Sequence, residues 1–142
     1  MEIKVFEEFN NDLKKLWLRL EKEIECTPFQ TFDWSKNWFE TIGERDLKAD
    51  LKVLYVKSSK YEVLLPFILI KRKTLNILKW LGGNQADYME PLLIGDNKNL
   101  SIENTILKTI KKIDVVHIEK QSKNSSFYSH YKKYFYNIKK TT

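Results

Sequence analysis

The sequence predicts a mixed α/β domain, with a mostly antiparallel sheet, helices on both faces and an incomplete C-terminal edge. Three observations predict it. Apolar residues recur at helical spacing in "NNDLKKLWLRLEKEIE", in "DWSKNWFETIG" and again after Ser101. Between them, "DLKVLYVKSSKYEVLLPFILIKRK" reads as two strands joined by a short turn at Lys57–Lys60. The resulting order is strand, helix, helix, several strands, helix, strand, helix, which buries its apolar stripes when the helices cover both faces of one sheet.

Each element has its own signal. Residues 2–6, "EIKVF", alternate in polarity as a short strand does. The first helix carries Leu13, Leu16, Leu20 and Ile24 on one stripe, with Asn11 or Asp12 placed to cap it. Pro28 ends that helix, Asp33 can cap a second, and Trp34, Trp38 and Ile42 share its face up to Gly43. The strand "DLKVLYVK" alternates, which predicts one wet face. The next, "VLLPFILI", is apolar throughout, as a strand covered on both faces must be. Pro66 cannot donate to a ladder and predicts a bulge or a splay. "LNILKWL" and "YMEPLLI" are further strand candidates, with a turn at Gly82–Gly83. Ser101 is placed to cap a helix over 101–112 with Ile102, Ile106, Ile110 and Ile113 on one stripe, and "DVVHIE" is a brief strand. Phe127, Tyr131, Phe135 and Ile138 then predict a basic, aromatic terminal helix within 120–142.

A chain of 142 residues is expected to form one domain spanning 1–142. No apolar run reaches the roughly 20 residues needed to cross a bilayer. The acidic, alternating start "MEIKVFEEFNND" is unlike a signal peptide, and a single cysteine, Cys26, fits a reducing compartment, so the expected location is cytoplasmic. The net charge of +6 is uneven. Residues 1–119 are neutral, and the excess comes from Lys120, Lys123, Lys132, Lys133, Lys139 and Lys140. Because the tail's aromatics fall on one face, the pattern predicts a packing helix with solvated lysines rather than a nucleic-acid surface. His117 and His130 lie apart from each other and from Cys26, and they predict no metal site.

Three stretches carry a resemblance. "TPFQTFDWSKNWFE", "YEVLLPFILIKRK" and "LGGNQADYMEPLL" are similar, in order and spacing, to elements of the CelD-type family. Members of that family are GNAT-like acyltransferases linked to cellulose and exopolysaccharide biosynthesis. The resemblance covers roughly residues 25–95 and matches the N-terminal half of a protein built as two tandem GNAT-type halves. It implies an accessory half that shapes an acceptor cleft with a catalytic GNAT partner, on another chain or as a homodimer. The cleft candidates are Gln30, Trp34, Trp38, Asp87, Tyr88 and Glu90. Aromatic faces suit sugars and acyl chains, while acids beside a tyrosine can bind a hydroxyl or amine or act as a base.

The resemblance also implies acetyl-CoA or another acyl-CoA as donor if the domain is active. Its diphosphate would lie on backbone N–H groups entering the helix near Ser101, where Gly95, Lys98 and Ser101 are the candidates. The stretch "IGDNKNLS" has one glycine where the family pattern has two small residues, and Asp96 follows it. A carboxylate there would repel a diphosphate. The expectation is therefore that this domain alone binds no cofactor; the alternatives are a stand-alone acyl-CoA-dependent N-acyltransferase and a binding module without chemistry.

Overall fold

The structure, a computed structural model, describes residues 1–86, 89–96 and 101–118, with Glu103 described by its backbone. The elements are β1 (Glu2–Phe6), α1 (Asn11–Glu23), α2 (Phe32–Trp38), β2 (Asp50–Lys57), β3 (Tyr61–Arg72), β4 (Leu75–Trp80), β5 (Leu92–Gly95), α3 (Ile102–Thr109) and β6 (Val115–His117). Among the described residues the sheet is six-stranded and open, in the order β1-β2-β3-β4-β6, with β5 also on β3. Every pair is antiparallel except β4 with β6. That parallel pair requires a crossover, which α3 supplies. The expected terminal helix over 120–142 lies outside the described residues.

The two faces have separate cores. On one, Leu13, Trp17 and Leu20 of α1 and Phe32 and Trp38 of α2 cover Leu51, Val53, Leu64, Ile68 and Ile70. On the other, Ile102, Ile106 and Ile110 of the α3 segment cover Leu54, Val56, Leu65, Phe67 and Leu78. The second core corrects the wet face expected of β2. Its residues Val53 to Val56 are all buried, because the α3 segment covers the side that alternation leaves to water. The α1 stripe is also shifted. Trp17 is fully buried, whereas Leu16 and Ile24 are half-buried, since the face turns toward Phe9 and Phe32.

Capping falls earlier than the sequence suggests at both first helices. Asn10, not Asn11 or Asp12, accepts from the Leu13 N–H at 2.9 Å. Thr31, not Asp33, caps α2 by accepting from Trp34. In each case the side chain three residues before the accepted N–H has the reach, and the later residue is already helical. α2 widens into a π turn, Phe39–Gly43, and stops at Gly43 as expected. The Ser101 side chain makes no capping bond to α3; its carbonyl instead accepts from Thr105.

Pro66 sits where the sheet divides. β5 pairs with Tyr61–Leu64 of β3 and β4 with Phe67–Arg72, so β4 and β5 act as one strand broken opposite Leu65 and Pro66. The Pro66 carbonyl accepts from the Leu81 N–H at 3.0 Å. A strand residue's amide and carbonyl point to the same side, so its missing N–H faces the break, where no partner needs it. This is the expected splay, and β3 runs through it unbroken.

Candidate functional site

The break exports the chain after β4, and its described residues 81–86 and 89–91 meet the "PFQTFDWSKNW" segment. Gly82 (φ 120°) and Gly83 (φ 52°) turn the chain out of β4 in a conformation that favours glycine. A Cβ on Gly83 would lie 2.9 Å from the Trp38 ring, and one on Gly82 would lie 3.3 Å from the Trp34 ring. The two tryptophans therefore require the glycine pair as packing partners. The three stretches that carry the resemblance are in contact with one another.

Polar bonds fix the same contact. Gln30 is 5% exposed. Its Oε1 accepts from the Thr27 N–H at 2.9 Å, and its Nε2 donates to the carbonyls of Glu90 and Pro91, both at 3.3 Å. Its own carbonyl accepts from the Trp17 indole N–H at 2.8 Å. Trp38, also buried, donates its indole N–H to Gln85 Oε1 at 2.9 Å. The polar atoms of Gln30 and the indole of Trp38 are thus committed to tethering the loop, as buried polar groups must be. Trp34 is half-buried, edge-on to Phe29, and touches both cores. Glu90 is half-buried and held here through its backbone carbonyl. Asp87 and Tyr88, between Ala86 and Met89, lie outside the described residues.

The expected phosphate loop begins at Gly95. Its φ is 90°, and an added Cβ would come within 2.3 Å of the Lys60 carbonyl oxygen. The next amide, Asp96 N–H, donates to that same oxygen at 2.9 Å. Both features close β5 onto β3, which accounts for the glycine without a ligand. Ser101 is half-buried at the start of α3; Lys98 lies outside the described residues.

One polar cluster was missed by the sequence reasoning. Glu62, 9% exposed, lies between α1 and the sheet. Arg19 of α1 bridges both of its oxygens, reaching Oε2 at 3.2 Å and also bonding Oε1. Tyr55 donates its hydroxyl to Glu62 Oε1 at 2.6 Å. Burial raises the Glu62 carboxyl, but the bonds from Arg19 and Tyr55 outweigh it and hold the group below the usual carboxylate range. Burial, reinforced by Glu62, pushes the Tyr55 phenol up. A pinned carboxylate and a retained phenol proton suit a structural network, not proton transfer near neutrality. The signal was available: a lone acid inside "YEVLLPFILI" needs a cation partner.

A cleft of about 430 Å³ opens where β1, the α2 end and β2 meet. Glu7, Glu8, Glu40, Glu44 and Asp50 line it around Phe9 and Phe39, and Lys52 is bridged to Glu7 at 3.0 Å. Burial also pushes the Cys26 thiol up, away from the nucleophilic thiolate. His117 is exposed on β6. Among the described residues, no group of three or more His, Cys, Asp or Glu side chains is placed to hold a metal. No helix among them is long and apolar enough to cross a membrane. Compared with protein-family models, curated proteins and solved structures, the chain matches none.

Proposed function

We propose that this chain is a GNAT-like, CelD-type domain serving as a non-catalytic accessory half. It presents the segment between β4 and β5 and the neighbouring edge of β5 to a catalytic GNAT half, or to a second copy, and shapes an acceptor cleft with it. The observation that carries the reading is the side of β5 that has no strand beside it among the described residues. Among the described residues β5 pairs with β3 alone, while β6 pairs with β4 and stops level with Lys79. An unpaired edge is a surface that another chain can complete.

The described start of the loop before α3 does not fit a diphosphate. The Asp96 N–H is engaged with Lys60, Gly95 is explained by its close approach to the same carbonyl, and the Asp96 carboxylate would repel an anion. No acyl-transfer step is therefore assigned to this domain's residues. Calorimetry with acetyl-CoA tests the reading: no heat is expected up to roughly millimolar ligand, a binding free energy weaker than about −4 kcal/mol. Micromolar binding would replace it with a stand-alone acyl-CoA-dependent N-acyltransferase. Sedimentation of the full chain, alone and mixed with a catalytic GNAT half, is expected to yield a dimer or a stable complex.

A further inference from the structure

We propose that one end of the sheet, built from the β3–β4 turn and the α3–β6 connection, docks on an anionic lipid bilayer. Arg72 and Leu75 are register partners, so Lys73 and Thr74 form a two-residue turn at the tip of the hairpin. Two hydrogen bonds tie the second segment to the first. The Asn76 N–H donates to Asp114 Oδ2 at 2.7 Å, and the Asp114 N–H donates to the Asn76 carbonyl at 2.9 Å. They bring Lys111 and Lys112 beside the run Lys71–Lys73, with Lys108 in the last turn of α3.

All six cations (Lys71, Arg72, Lys73, Lys108, Lys111 and Lys112) are exposed, and none forms a salt bridge among the described residues. Within 71–76 and 104–114 Asp114 is the single acid, and Asn76 already holds its carboxylate. Lys73 (φ 56°) and Lys112 (φ 64°) occupy left-handed backbone that glycine or asparagine adopts with less strain. Turn geometry alone therefore does not account for lysine at either tip.

Two exposed leucines decide the class of partner. Leu75 is 46% and Leu107 52% exposed, and both stand within these basic segments. A bilayer surface takes cations at its headgroups and aliphatic side chains at the acyl boundary. Nucleic acid is gripped by cations together with stacking aromatics or groups that read base edges, and neither segment contains an aromatic residue. Glu8, Glu40 and Glu44 line the cleft beside β1, whereas Glu7 and Asp50 also share a second cleft of about 490 Å³ with Lys111 and Lys112. The first three would tilt the contact toward β4 and α3.

Vesicle sedimentation of the full chain tests this. It is expected to partition onto phosphatidylcholine vesicles containing phosphatidylglycerol, not onto phosphatidylcholine alone, and to be released by salt. Lys73→Glu combined with Lys112→Glu is expected to weaken partitioning roughly 25-fold or more, since each cation contributes about five-fold and reversal adds repulsion. Leu75→Ser is expected to weaken it several-fold at unchanged melting temperature. Equal partitioning onto neutral vesicles would overturn the proposal. So would undiminished binding of the double variant, which would assign the contact to the six lysines after Glu119. Preference for a single-stranded RNA or DNA oligonucleotide over the anionic vesicles would also overturn it.

Discussion

Replacing Gln30 separates a residue that holds the fold from one that holds a ligand. The side chain is 5% exposed and makes three hydrogen bonds, one to Thr27 and two to carbonyls some sixty positions away. Gln30→Ala removes all three and strands an amide and two carbonyls where water enters poorly. At about 1 kcal/mol per neutral bond the loss is about 3 kcal/mol, and the void left behind adds to it. For a chain of this size that corresponds to roughly 10 °C in melting temperature.

Gln30→Glu sharpens the test. At neutral pH its carboxylate would face the two carbonyl oxygens of Glu90 and Pro91, whereas its protonated form can donate to one of them and still accept from Thr27. The folded-state pKa of the new acid is therefore raised above the unfolded value of about 4.3. The variant's stability relative to wild type is then highest below that pH and falls as pH rises through the folded value. Urea melts of the full chain followed by circular dichroism between acid and neutral pH measure both effects. A loss under about 1 kcal/mol for Gln30→Ala, or a pH-independent deficit for Gln30→Glu, refutes the tethering role.

Two further substitutions have distinct signatures. Glu62→Gln is expected to cost about 1–2 kcal/mol at neutral pH, discounted because Arg19 is 42% exposed. Since the native carboxyl is held low, its contribution is present above the unfolded pKa and is lost as pH falls through the folded value, so the variant's stability should decline less in acid. Gly95→Ala is expected to destabilise by about 3 kcal/mol, through its left-handed backbone and the clash with the Lys60 carbonyl. An unchanged melting temperature would mean that the glycine serves a ligand instead.

Much of the fold was legible because its signals are local. The stripe Ile102, Ile106 and Ile110 is buried as its spacing predicts, and the all-apolar "VLLPFILI" lies in the sheet's interior between β2 and the β4–β5 pair. Pro66 announced a disturbance because an absent N–H can be read from sequence alone. What was not legible depends on distant chain. Whether β2 has a wet face is set by α3, some fifty residues later. Trp17 displaces Leu16 from the stripe because Phe9, Phe32 and the Gln30 carbonyl meet there. The candidate site was legible as a set of segments. Gln30 and Trp38 do meet the Gly82–Gly83 loop, yet they serve it as tethers, because the break opposite Pro66 leaves that loop needing partners. The partner of Glu62 remained hidden because Arg19 is 43 positions away, on a helix face that reads as solvated.

Titration of the isotope-labelled full chain with coenzyme A, followed through backbone amide resonances, addresses the assignment of Gly95 and its neighbours most directly. An accessory half in which Gly95 and Asp96 are closed onto Lys60 leaves the amides from Leu93 to Ile102 unmoved at millimolar ligand. Saturable shifts confined to those amides would contradict it.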